Sequence, residues 1–363
     1  MSKLSLAMIV KNEAKNLPQC LTSVQGIFDE MIIVDTGSTD NTIEVARKFT
    51  STIHHFTWIH DFAAARNFAF SRATGDYIMW LDADDILTNE DAAKLRMLKQ
   101  KLSLDTTIDV ITAPYNCTFD SHGNVTLQSV RERIISNKYF ATHKWEGVIH
   151  ESIPWGGTIH HADFVVTHSK NHEPADINST TFKRNFDILN HAIKSGNHQG
   201  QPRIIHYYAC SLKELGRLDD ALKWLQVYFT HSNIDPNAYL TAFDIYLAKG
   251  DTTAAFKVLT DNQPACSHMS EYYTALGQFF YKYVGDNHRA AEAYLAALKC
   301  PGDTNRTMDY YYFLPYAGLA ELATVSADYK KALEYYQNAQ NYKHDPNIKS
   351  IVEKLHTILQ ASR

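Results

Sequence analysis

Short apolar runs alternate with helical periodicities through the amino-terminal half of the chain. Leu4–Val10, Met31–Val34 and Tyr77–Leu81 read as strands. Between the first two, Asn16 precedes Leu17-Pro18 as a cap with proline in the first helical turn, and Leu17, Leu21 and Val24 recur at helical spacing. After the second strand, Ser38-Thr39-Asp40-Asn41 offer capping side chains ahead of Ile43, Ala46 and Phe49. The order β-α-β-α followed by more strands predicts an α/β domain with a largely parallel sheet and crossover helices.

Beyond about residue 195 the strand signals vanish and tyrosine-rich helical pairs take over. Gly216 and Ala221 stand in GRLDDA, Gly250 and Ala255 in GDTTAA, Gly285 and Ala290 in GDNHRA, and Ala327 and Ala332 in ADYKKA, with starts 34, 35 and 42 residues apart. A tight turn calls for the glycine, and close helix packing calls for the alanine five positions on. Pro236, Pro264, Pro301 and Pro346 punctuate the ends of the second helices. This resembles the tetratricopeptide repeat over about residues 200–348, with an irregular last interval and without the consensus tryptophan; an unrelated bundle with coincidental spacing is the alternative. The expected domains are residues 1–195 and 196–363.

Composition narrows the classes. A chain of 363 residues with 45% apolar content is long enough for two cores and is neither disordered nor collagenous. The net charge of −5 gives no global attraction to nucleic acid or anionic membrane. Leu4–Val10 is too short to span a bilayer and lacks the basic region and cleavage site of a signal peptide. Five cysteines without CxxC spacing read as reduced thiols of a cytoplasmic protein.

Candidate chemistry gathers where strands end. In an open parallel sheet the ligand crevice lies beyond the carboxyl ends of the strands. The three runs end in Lys11-Asn12-Glu13, Asp35-Thr36-Gly37-Ser38-Thr39-Asp40 and Asp82-Ala83-Asp84-Asp85, which puts acids, amides and hydroxyls on one rim. A lone DxD is a weak signal; following the apolar strand YIMWL, with the two other strand ends beside it, it becomes a strong one. Acids merely capping the next helix are the bland alternative.

From about Lys3 to His168 these motifs resemble a family 2 glycosyltransferase with the GT-A nucleotide-sugar fold. The resemblance implies a UDP-sugar donor (UDP-glucose or UDP-N-acetylglucosamine), with Asp84 binding Mg²⁺ or Mn²⁺ and Asp82 acting on ribose or through water. Relatives commonly have two adjacent acids where this chain has Asp35-Thr36, so Asp35 alone or Asp35 with Asp40 would read the uridine. In WIHDFAAARN, Asp61, Arg66 and Asn67 match the segment lying over the nucleotide, with Arg66 suited to the diphosphate and a surface helix charge as its alternative. His168 resembles a late histidine that completes the metal or diphosphate site, with an ordinary core histidine as the alternative. Lys183, with Arg184 and Asn185, is either a diphosphate clamp or a solvated helical charge.

An acceptor must lose its proton while the anomeric carbon is attacked opposite the diphosphate, which inverts configuration. Glu146, His150 and Glu151 in KWEGVIHES, and Asp85, are candidate bases; the resemblance favours Glu151, with His150 nearby. Trp145 and Trp155 offer stacking platforms for sugar or acceptor, with ordinary aromatic packing as the equal alternative. The combination is similar to bacterial enzymes that glycosylate cysteine thiols of bacteriocin precursors, which implies an acceptor peptide bound by the repeat domain, with modification at Cys or also Ser. The exposed ends of a helical array would suit a homodimer. A lipid or polysaccharide acceptor, and a non-catalytic repeat scaffold, are the competing readings.

Overall fold

Side chains alternate across β1 (Leu4–Val10), and both faces of this strand are buried. Leu6, Met8 and Val10 join one core and Ala7 the other, which is why the run is continuously apolar. The computed structural model describes residues 2–120, 123–169, 178–300, 305–307 and 309–361. It separates into two units, Met1–Cys117 with Ser129–Ile204, and Thr118–Gln128 with Ile205–Arg363.

In the first unit β2 (Glu30–Asp35), β3 (Ile53–His55) and β4 (Tyr77–Trp80) run parallel with β1 in the order β3-β2-β1-β4. The sheet then turns mixed. After β5 (Asp85–Ile86), the long strands β6 (Val110–Phe119) and β7 (Val125–Ser136) and the short β8 (Ile159–His161) and β9 (Val166–His168) extend it as β7-β6-β9-β5, with β7 antiparallel to β4 and β8 beside β6. Among the described residues, five helices precede β8: α1 (Leu17–Ser23), α2 (Thr42–Ala46), α3 (Phe62–Phe70), α4 (Asn89–Leu102) and α5 (Asn137–Thr142). Leu17, Leu21, Leu95 and Leu98 of α1 and α4 pack on one sheet face, and Ala63, Phe70, Tyr139 and Phe140 of α3 and α5 on the other. This is the GT-A-like arrangement. α6 (Thr180–Ser195) closes on Gly196, whose φ of 79° a glycine adopts without penalty.

The second unit is a tetratricopeptide-like array: α7 (Pro202–Glu214), α8 (Leu218–Tyr228), α9 (Asn237–Ala248), α10 (Thr252–Asp261), α11 (Gln263–Cys266), α12 (Ser270–Phe279), α13 (Asn287–Ala297), α14 (Leu314–Val325), α15 (Tyr329–Gln340) and α16 (Pro346–Ala361). The repeat arithmetic has a direct physical expression. Gly216, Gly250, Gly285 and Ala327 all adopt positive φ, at 70°, 77°, 73° and 59°, and Ala221, Ala255, Ala290 and Ala332 are fully buried. After each turn the following backbone N–H reaches back to close the preceding helix, as from Asp251 to Tyr246 O at 2.9 Å and Asp328 to Ala323 O at 2.9 Å. The irregular interval contains a π-helical turn, Asp309–Phe313, ahead of α14. Pro236, Pro264 and Pro346 sit at the starts of α9, α11 and α16, where a missing N–H costs least, and Pro301 lies outside the described residues.

Candidate active site

The parallel register Val10↔Asp35 and Ala7↔Trp80 brings the carboxyl ends of β1, β2 and β4 to one rim. Two loops there are tied together. The Asn12 backbone N–H donates to Ser38 Oγ at 2.9 Å, and Asn12 Oδ1 accepts from Thr39 N at 2.7 Å, with Asn12 held at a φ of 55°. Asp35 is buried and accepts from the Gly37 and Ser38 N–H groups at 3.1 Å, with His55 Nδ1 3.4 Å away. Asp40 accepts from Thr42 N at 3.0 Å and Ala14 N at 3.3 Å. Both acids therefore shape the loops of the rim.

α3 supplies the central cation. Asp61 caps it by accepting from Ala64 N at 2.9 Å, and Asn67 clamps the backbone of Trp145, donating to its O at 3.0 Å and accepting from its N at 2.9 Å. Arg66 is 5% exposed. Its Nη2 lies 2.8 Å from Asp82 Oδ1 and its Nε 2.6 Å from Glu151 Oε1, while its guanidinium stacks over Trp80 at 4.3 Å. Burial opposes its charge, but the two carboxylates outweigh that and raise its pKa. Burial likewise pushes Asp82 up, and Arg66 more than reverses it, so Asp82 stays low.

The segment carrying Glu151 is a closed loop. Glu146 and Ser152 pair across it, and Gly147 and His150 take positive φ of 93° and 53°. His150 faces out while Glu151 is buried against Arg66. Trp145 is 2% exposed and packs edge-on against Phe70 and Trp80, so it is a core residue and offers no platform. Trp155 is 42% exposed, with its indole N–H fixed on Glu132 Oε2 at 3.0 Å.

Strand register assembles the acid cluster. β5 and β9 pair antiparallel with Asp85 opposite His168, so residues 83 positions apart in sequence become neighbours. Ligand atoms of Asp84, Asp85 and His168 lie within 4.8 Å of one another. Asp82 is not a member of that trio, because Arg66 draws its carboxylate aside. Asp85 is fully buried; Arg133 Nη1 at 2.9 Å and Asp82 N at 3.1 Å hold Oδ2, and the Tyr115 hydroxyl at 2.9 Å holds Oδ1. Burial lowers the His168 pKa, but its bond to Asp85 and the charges of Asp84 and Asp85 reverse that and leave it raised. Two carboxylates and an imidazole are a donor set that fits Mg²⁺ or Mn²⁺.

Two residues of the site escape sequence reasoning. Arg133 and Tyr115 lie within long strands, and only the pairing of β7 with β4 and β6 with β9 brings them beside Asp85. On α6, Lys183 and Arg184 are both exposed, and Arg184 lies within electrostatic reach of Glu151, Asp82, Glu13 and Asp84 and over the ring of Phe62 at 5.3 Å. Helical periodicity alone does not separate these two neighbours.

Known proteins resemble parts of this chain. Residues 5–158 match the model of Glycosyl transferase family 2. The SPbeta prophage-derived glycosyltransferase SunS of Bacillus subtilis is 24% identical over 233 residues, 61% of this chain and 52% of that protein. A TPR repeat-containing protein of Synechococcus elongatus is 48% identical over 96 residues, 26% of this chain and 24% of that one. The chain thus spans between a quarter and about half of these relatives. Among solved structures, MamA matches with a TM-score of 0.36 at 14% identity over 44% of this chain and 88% of that one. Glucosyl-3-phosphoglycerate synthase from Mycobacterium tuberculosis, in complex with Mn²⁺ and UDP-glucose, matches with a TM-score of 0.36 at 13% identity over 54% and 79%. Residues 5–158 of this chain are thus similar to glycosyl transferase family 2, and the same chain carries a tetratricopeptide-like helical array.

Proposed function

We propose that this chain is an inverting, metal-dependent glycosyltransferase that moves a hexose from a UDP-sugar to a peptide side chain, a cysteine thiol in the first instance. The observation that carries the reading is the cluster of Asp84, Asp85 and His168 at the strand-end rim of a family 2 domain. Asp84 and His168 would hold the divalent cation, which supplies positive charge where the diphosphate leaves. Asp35 and Asp40 would face the uridine from their rim loops, Asp82 the ribose, and Arg66 and Arg184 the diphosphate. Likeness to SunS is the support for a peptide acceptor, and the helical array would give it an extended surface.

Glu151 would take the acceptor's proton. Arg66 fixes its Oε1, which leaves Oε2 as the oxygen to receive it. A reference thiol lies about four pKa units above a reference glutamic acid, roughly 6 kcal/mol, and an aliphatic hydroxyl lies much further, so the arrangement suits sulfur better than oxygen. The test incubates a cysteine-bearing precursor peptide and its Cys→Ser form with UDP-glucose or UDP-N-acetylglucosamine and Mn²⁺, followed by mass spectrometry. A hexose-sized increment on the cysteine peptide alone is expected. Transfer only to lipid or glycan acceptors, or no transfer at all, would defeat the reading.

A further inference from the structure

The loop from Trp145 to Ser152 carries Glu151, and its backbone is held from several sides. Its ends pair, with Glu146 N donating to Ser152 O at 2.9 Å and Ser152 N to Glu146 O at 3.1 Å, and Phe62 N donates to Val148 O at 2.9 Å. His150 nonetheless takes a left-handed φ of 53°, a conformation that a residue other than glycine keeps only where its surroundings over-determine it. Two guanidinium groups do that here. Arg203 donates from Nη2 to His150 O at 3.1 Å and from Nη1 to Ser152 Oγ at 3.0 Å, and Arg131 donates from Nη2 to Glu151 O at 3.1 Å. All of these residues fall within the first unit, although Arg203 is 51 positions from Ser152 in sequence.

The two carbonyls, of His150 and Glu151, belong to the peptide units on either side of the Glu151 Cα. Each unit is planar, so fixing both sets φ and ψ of Glu151 and with them the direction of its Cβ. Arg66 then holds Oε1 at 2.6 Å, and the position of Oε2 follows. The geometry points to Arg203 and Arg131 as positioning residues that clamp the backbone around Glu151 and so set where its Oε2 stands for proton transfer, a role that rests on the reading of Glu151 as the base. Arginine suits the task of Arg203 because its planar fork spreads donors over two acceptors and its charge strengthens both bonds, whereas a lysine ammonium is a compact point charge. Arg203 is exposed, so replacing it opens no cavity in the core and isolates the clamp from packing; Arg131 also lies over the Trp80 ring at 5.5 Å.

The test compares wild type, Arg203→Met, Arg203→Lys and Glu151→Gln as full chains. Three quantities are read: steady-state transfer from UDP-glucose or UDP-N-acetylglucosamine to the cysteine-bearing peptide with Mn²⁺, thermal unfolding, and hydrogen–deuterium exchange of the segment 145–153. In Arg203→Met a roughly 10–100-fold lower kcat is expected, with KM for the UDP-sugar and Tm unchanged and with faster exchange confined to that segment. Arg203→Lys should fall between Arg203→Met and wild type. A folded Arg203→Met with wild-type kcat overturns the positioning role, as does a proportionate rise in KM for the UDP-sugar, which would put Arg203 at the donor. Wild-type exchange in the same variant overturns the clamp itself. Full turnover by Glu151→Gln defeats the base reading, and in that case, or if wild type transfers no sugar, the exchange data alone decide whether the clamp exists. Should Arg203→Met not fold, wild-type kcat and exchange in Arg203→Lys overturn the inference.

Discussion

The two units handle charge and backbone strain in opposite ways. The sheet unit, besides surface pairs, buries two paired cations: Arg66 with Asp82 and Glu151, and Arg133 with Asp85. In the helical array the ion pairs are on the surface, as with Arg217–Asp220 and Lys257–Asp261. Positive φ outside glycine follows the same division. Asn12, His60 and His150 are in the rim loops of the sheet unit, whereas Ala327 replaces a glycine in an otherwise repeating turn of the array. Strain and buried charge collect where chemistry is proposed. The array instead draws stability from a local rule repeated along the chain, a turn followed by a buried alanine.

The comparison can be broken by removing charge from one unit and adding bulk to the other. Arg133→Met leaves Asp85 buried without its cation and should cost about 3–5 kcal/mol in urea unfolding, with Asp85→Asn in the same chain recovering most of it. A loss under about 1 kcal/mol would mean that the pair is not the interior charge described. In the array, the Tyr294 ring is wedged between Gly277 and Gly318, and a Cβ on Gly277 would come within 2.6 Å of it. Gly318→Ala should cost roughly 1–3 kcal/mol through that overpacking, read from the same unfolding curves.

Two smaller effects sharpen the contrast. Ala327→Gly removes a left-handed alanine and should stabilise the array by about 1 kcal/mol, visible as a higher Tm. The Asp82–Arg66 pair predicts an acid effect of definite sign. Arg66 depresses the folded-state pKa of Asp82, so its contribution is present above the unfolded value of about 3.9 and is lost as pH falls through the lower folded value. The stability gap between wild type and Arg66→Met should therefore narrow below about pH 4, which a series of urea unfolding curves from neutral to acid pH will show. A gap independent of pH would assign the effect of Arg66 to packing on Trp80 alone.

Much of this was legible along the chain, for identifiable reasons. Continuous apolar runs ending in polar clusters mark β1, β2 and β4, and a parallel sheet brings such ends to one edge. The glycine-to-alanine spacing of the array is local and survives intact in the structure. What sequence does not display is long-range register. Asp85 meets His168 through antiparallel pairing of β5 and β9, and Arg133 and Tyr115 sit inside strands whose pairings span tens of residues. Competition for partners is equally hidden: Asp82 and Asp84 look equivalent in DAD, yet Arg66 takes the first and leaves the second beside His168. Trp145 reads equally as a platform or as aromatic packing, and only the fold decides for packing, with its ring edge-on against Phe70 and Trp80 and its backbone clamped by Asn67.

The most direct test of the central claim is calorimetric titration of UDP into wild type and Asp84→Ala, each with and without Mn²⁺. The account predicts binding to wild type that needs Mn²⁺ and is lost in Asp84→Ala, whose Tm stays close to that of wild type. Equal binding by both proteins regardless of metal, or no binding of UDP by wild type, would contradict it.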